Sequence, residues 1–273
     1  MQPHEPVFAH LFVEDLMEEN AKRGRKAQAF DTPFRYSDAG KCARQMAYSS
    51  LGLEGVPFDG PSTFVTTLGT EIHEWAQTAI AKRFPEAEFE GKSQVSTSSG
   101  HFDGIIHTEE FGKVLWELKT MNGTAYTKSI GAGAKGMNTP GGPRYSAVLQ
   151  AALNASANDC DTIIISHVAL EAISRQKAAR LDLPEWNRFI AEWIIPKEVW
   201  EPLADQEIMR QVQILDDLNM GRLPQRIAVS DKGDEEIQDP DSTRGWMCVY
   251  CSYADICRAD GGGNPINNHK EEA

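Results

Sequence analysis

The sequence predicts an α/β fold. Three observations carry the prediction. Two apolar segments, Phe102–His107 and Val114–Leu118, flank the polar glycine-containing turn 108–113, which is a hairpin signal. A β-branched run, Thr162–Leu170, has the composition of a central strand. Helical stretches lie on either side, at 62–84, 146–157 and 197–220.

In chain order, residues 5–20 predict a short amphipathic helix, and 21–26 (AKRGRK) a basic patch that is either a solvated loop or a phosphate contact. Ser37 or Asp38 is placed to cap a helix carrying Cys42, Arg44 and Tyr48, ended by Gly52. Residues 57–61 predict a loop. The helix over 62–84 has Leu68, Ile72, Trp75, Ala76, Ala79 and Ile80 on one apolar stripe, with His73 beside it. Residues 88–96 predict the first strand of a sheet. After the hairpin, 122–144 contains six glycines and two prolines, which reads as a mobile substrate loop rather than a packed element. Gln150 and Asn154 lie one turn apart on the helix over 146–157. Residues 185–193 suit either an edge strand or a helix. Gly221 and Pro224 end the helix over 197–220. An acidic connector is expected over 231–241, and disorder past 261. There is no internal repeat.

The bulk numbers exclude some classes. With 273 residues the chain suits one large domain, or a core with an appendage. No apolar run approaches the ~18 residues that span a bilayer. The N-terminus has no basic n-region or cleavage site, so a cytoplasmic setting and no membrane partner are expected. The net charge of −13 argues against wholesale coating of nucleic acid but leaves room for a local groove. Carboxylates that hold a metal also count as negative charge.

The hairpin carries charge where a buried strand should be apolar. Glu117 and Lys119 are two residues apart and share a face of the sheet, and Asp103 sits on the partner strand. Hard cations such as Mg²⁺ or Mn²⁺ want oxygen ligands, which Asp103, Glu117 and the Leu118 carbonyl can supply. Lys119 would orient or deprotonate a water if its pKa were lowered. The competing reading is a cross-strand ion pair on a solvated face. His73 taken singly is a satisfied helix histidine.

Five cysteines form a poor disulfide framework. Cys248, Cys251 and Cys257 crowd into ten residues, and Cys42 is the natural fourth soft ligand. Zinc and an iron–sulfur cluster are both open; buried, small hydrophobes are the plain alternative. Cys160 is expected in the core.

These motifs, LGTEIHEW around His73, GHFDG around Asp103, WELKT around Glu117 and Lys119, the Gln150 helix, KCARQMAY and CVYCSYADIC, together resemble the PD-(D/E)xK nuclease superfamily. The resemblance is to its RecB-like branch with a four-cysteine cluster, as in CRISPR-associated adaptation exonucleases and phage relatives. It implies a restriction-endonuclease-like mixed sheet flanked by helices. It implies metal binding by His73, Asp103 and Glu117, assistance from Lys119, and positioning by Gln150. It implies a structural [4Fe–4S] cluster on Cys42, Cys248, Cys251 and Cys257 that joins the N- and C-terminal segments. The expected division is an N-terminal helical segment over 1–61, a nuclease core over 62–225 and a cysteine-rich segment with a tail over 226–273. The family pattern often has a tyrosine four residues after the glutamine, where this chain has Asn154. The expected activity is metal-dependent hydrolysis of DNA, preferably single-stranded, by an exonuclease of recombination, repair or replication. Helicase or recombination partners, a homo-oligomer and a bacterial or phage-infected cell go with it. The alternative is a DNA-end-binding or scaffold subunit with weak or partner-dependent cleavage.

Overall fold

The computed structural model describes residues 14–15, 17–18, 32–57, 60–133, 136–137, 141–230, 233–238 and 247–260. In order these form β1 (Phe34–Arg35), α1 (Ala43–Ser50), α2 (Gly60–Ala81), β2 (Lys92–Val95), β3 (Ser98–His101), β4 (Gly104–Thr108) and β5 (Gly112–Met121). Then come α3 (Gly123–Ser129), β6 (Ala132–Gly133), β7 (Gly136–Met137), α4 (Tyr145–Ala157), β8 (Thr162–Ala169) and α5 (Arg175–Arg180). The chain continues with β9 (Ile190–Pro196), α6 (Lys197–Asn219), β10 (Ile227–Val229), β11 (Glu235–Ile237) and α7 (Ala254–Ala259).

The central sheet has the order β4-β5-β8-β9. β4–β5 and β8–β9 are antiparallel, while β5–β8 is parallel. A parallel neighbour needs a long crossover, and here the crossover contains α3, the β6–β7 hairpin and α4. Alternate residues of the strands face opposite layers. Leu115, Ile163 and Ile165 pack against Val148, Ala151 and Ala152 of α4 and against Trp200 of α6. Trp116, Leu118 and Val168 pack against Ala76, Ile72 and Ile80 of α2. The architecture is a mixed sheet between helices.

Several expectations change. The strand expected over 88–96 forms, and it meets the central sheet through a bridge between Glu88 and Ile105. It supplies β2 to a separate sheet of order β1-β3-β2. Its partner β3 reads SSGH, with no apolar run to announce it, yet Ser98 and Ser99 are buried. Long-range polar contacts make that burial tolerable. The Ser98 hydroxyl donates to Gln211 Oε1, and the Ser99 and Thr32 hydroxyls are 2.6 Å apart. Gly100 lies so close under Tyr36 that a Cβ would come within 2.7 Å of the ring.

The helix expected from Ser37 starts later. Asp38 ends a short 3₁₀ turn and accepts from the Arg35 N–H. Gly40, at φ +74°, then redirects the chain, so Cys42 is the N-cap of α1 and not part of it. The glycine-rich stretch is also not a plain loop. The Asn122 side chain caps α3 by accepting from Ala125 N–H, and Tyr126 is fully buried with its hydroxyl donating to the Asn187 carbonyl. Trp75 leaves the expected apolar stripe and is 56% exposed. Residues 185–193 resolve into a 3₁₀ turn over Trp186–Arg188 and the start of edge strand β9. Part of the expected acidic connector pairs with β10 as β11. Most of the helix expected over 5–20, the basic patch 21–26 and everything past 261 lie outside the described residues.

The segment over 34–50 is bound to α6. Phe34, Met46 and Ala47 pack with Ile214. Buried Glu207 accepts from both Arg210 Nε (2.8 Å) and Nη2 (2.7 Å), while Arg210 Nη1 donates to the Lys41 carbonyl at 3.0 Å. Removing one member of a buried pair strands the other. Glu207→Ala should therefore cost about 3–5 kcal/mol in urea denaturation. A loss under 1 kcal/mol would show that the pair does not hold this segment.

Candidate active site

β5 outlasts β4. The ladder between them begins at Gly104 opposite Trp116, so β5 from Glu117 onward has no β4 neighbour. On its other side β8 stays paired through Met121 and Ala169. Asp103 stands just outside the ladder and takes the Leu118 N–H on Oδ2 at 2.7 Å. A carboxylate thus replaces the missing strand at the sheet's open edge. The structure shows Leu118 engaged through this N–H, with its side chain in the α2-facing core.

Glu117 and Lys119 share the other face of β5. Glu117 has no solvent exposure. Its Oε1 is 2.6 Å from Lys119 Nζ, and its Oε2 has no hydrogen-bond partner among the described residues. Lys119 Nζ also donates to Gln150 Oε1 at 2.9 Å, which ties β5 to α4. From α2, His73 Nδ1 stands 3.6 Å from Asp103 Oδ1. The structure therefore forms two linked groups, His73 with Asp103 and Glu117 with Lys119 and Gln150, which interact electrostatically through Asp103.

The electrostatics follow from this crowding. Burial, and then the neighbouring Asp103 charge, push the Glu117 carboxyl up to about 7 against the pull of Lys119. Burial alone would lower the pKa of Lys119, but the Glu117 and Asp103 charges outweigh it and raise it. With both carboxylates uncompensated, this shift runs opposite to the lowering under which Lys119 would deprotonate a water. Burial also works against His73⁺, and the Asp103 contact outweighs it, so that pKa is raised too. An unpartnered buried carboxylate oxygen is costly. A hard divalent cation is the partner that such an oxygen set fits.

Three participants gave no motif. Gln77, one turn after His73 on α2, donates to Glu90 Oε1 at 2.7 Å and to the Asp103 carbonyl at 3.1 Å. Its spacing from His73 was a usable signal; Glu90 had none. His167 pairs in register with Lys119 and is fully buried, edge-on to Trp193 at 4.7 Å. Burial, then Arg144 and Lys119, lower its pKa to about 4, so it stays neutral. Asn154 lies one turn past Gln150 and is fully buried, so it offers no surface to a substrate.

Beyond the end of β5, a cavity of about 490 Å³ is lined by residues including Asn122, Lys128, Gly142 and Arg144. Separately, Cys42, Cys248, Cys251 and Cys257 line one small cavity with Arg226. None is in a disulfide. No three of these thiols come within 4.8 Å of one another. Arg226 donates through Nε to Cys257 Sγ at 3.1 Å. Burial, then the other three cysteines, push the Cys248 thiol up to about 11. Cys160 is a buried core residue.

The crystal structure of SSO0001 superposes with a TM-score of 0.53 at 19% identity, covering 93% of this chain and 98% of that one. This chain shares that fold. A phage-related exonuclease from Haemophilus somnus 129PT matches at a TM-score of 0.41 and 16% identity, over 68% of this chain and 95% of its own. An alkaline exonuclease, LHK-Exo, from Laribacter hongkongensis matches at 0.42 and 11%, over 65% and 80%. No family model and no curated protein matches the chain. Among the described residues, no helix is long and apolar enough to cross a membrane.

A carboxyl whose pKa is raised on folding contributes stability below its unfolded value and loses it as pH rises through its folded value. Glu117 is such a group, so chelator-treated protein should lose thermal stability between pH 4.5 and about 7. Glu117→Gln should flatten that loss in a melting series, and identical profiles would show that Glu117 is not strained.

Proposed function

We propose that the chain is a divalent-metal-dependent DNA nuclease of the PD-(D/E)xK type, an exonuclease acting on single-stranded ends. One observation carries the reading: a fully buried Glu117 with an unpartnered Oε2, 2.6 Å from Lys119 Nζ through Oε1 and electrostatically coupled to Asp103, where β5 runs on past the end of β4. His73, Asp103 and Glu117 would hold Mg²⁺ or Mn²⁺, which when bound supplies Lewis acidity and an acidified water. The chain's own residues do the rest. Lys119 is held in place by Glu117 and Gln150 and offers its charge where a phosphoryl oxygen gains negative charge. Lys128 and Arg144, in the cavity beyond β5, offer cations to the backbone of a strand. Single-strand preference, end-dependence and a role in recombination, repair or replication rest on the sequence resemblance.

The cysteine cavity supports a structural [4Fe–4S] cluster. The [4Fe–4S] form rests on the sequence resemblance, with zinc the rival at the same four thiols. After oxygen-free purification, iron and acid-labile sulfide should appear at about four each per chain. Zinc alone at one per chain would refute the cluster.

The second reading is a DNA-end-binding subunit, favoured by the net charge of −13. End-labelled single-stranded DNA with Mg²⁺ or Mn²⁺ separates the two. The nuclease reading expects cleavage that drops by about 10²–10³ in Lys119→Ala and is lost in Asp103→Ala. Binding without cleavage supports the second reading, and full activity in either variant overturns the mechanism.

A further inference from the structure

Glu90 belongs to none of the sequence motifs, yet the backbone delivers it to the metal cleft. The segment over 88–91 runs antiparallel beside 102–105. Glu88 N–H donates to the Ile105 carbonyl (3.0 Å), Ile105 N–H donates back to Glu88 (2.8 Å), and Phe102 N–H donates to the Gly91 carbonyl (3.1 Å). That register sets Glu90 opposite Asp103. Gly91 makes the approach possible, because a Cβ there would strike the Phe102 ring.

The donor atoms then converge. One ligand atom from each of His73, Glu90 and Asp103 lies within 4.8 Å of the other two. Gln77 donates to Glu90 Oε1, and Leu118 N–H donates to Asp103 Oδ2. The other Asp103 oxygen, Oδ1, is turned to His73 Nδ1 at 3.6 Å, so these two ligand atoms already face one another. A separate observation points to a cation at the same place: buried Glu117 keeps an unpartnered Oε2 and interacts electrostatically with both Asp103 and His73.

We propose that Glu90 is a direct ligand of the divalent-cation centre, alongside His73 and Asp103, and that Gln77 is the positioning residue that holds it there. The proposal rests on the metal-dependent reading above.

The test is Mn²⁺ binding to the full-length protein, read by the loss of the free-ion electron paramagnetic resonance signal and by calorimetry, without DNA. Glu90→Gln should weaken Mn²⁺ binding by about 10-fold or more, with an unchanged melting temperature in chelator. Gln77→Leu should weaken it by about 10-fold and no more than Glu90→Gln does, because removing a positioning contact loosens a ligand without deleting it. Wild-type Mn²⁺ affinity in Glu90→Gln, together with loss of binding in Asp103→Ala, overturns this inference alone. Absence of Mn²⁺ binding by the unmodified protein overturns the metal-dependent reading and this inference with it.

Discussion

A carboxylate without solvent exposure, Glu117, sits on the middle strand pair of the sheet, and the surrounding structure is arranged around its charge. Burying a carboxylate is affordable only with partners that favour its ionised form. Lys119 provides part of this from the same strand face. Asp103 works in the opposite direction, since it raises the Glu117 pKa further. Two acids that repel each other at close quarters are a poor device for stability. They make sense as half of a site whose other half is a cation.

The two faces of the sheet supply different parts of that site. α2 packs over Trp116 and Leu118 and carries His73 and Gln77. α4 packs over Leu115 and Ile163 and carries Gln150. Helices on opposite faces cannot meet through a continuous sheet. They meet here because β4 stops while β5 continues, which leaves an edge where side chains from both layers reach one cleft. Edge strands with free hydrogen-bonding groups usually need protection, and Asp103 protects this one by taking the Leu118 N–H.

What was legible in the sequence was local. The pairing of Glu117 with Lys119 follows from the period of a strand, whereas Gln150 came from the family resemblance. The four cysteines were grouped by spacing and by the chemistry of thiolates. What was not legible depends on distant register. β3 has no apolar signature because its burial is compensated by Gln211 and Thr32, which are far away in sequence. α3 was hidden by neighbouring glycines, although Asn122 is a good cap and Tyr126 a strong anchor. Glu90 could be placed only once the segments 88–91 and 102–105 were seen to run side by side. Lys119 was found by pattern, but the direction of its pKa needed both carboxylates in place.

Segments far apart in sequence meet at the cysteine cavity through contacts that need no metal. Tyr48 donates to Asp260 at 2.5 Å across 212 residues, and Arg44 Nε donates to the Pro224 carbonyl at 3.0 Å. Such contacts have a temporal consequence. At a synthesis rate of about 5–20 residues per second, Tyr48 waits roughly 10–40 s for Asp260 to be made. Every residue of the cleft, from His73 to Gln150, leaves the ribosome inside that interval, so the Tyr48 contact closes after the cleft's side chains have been made.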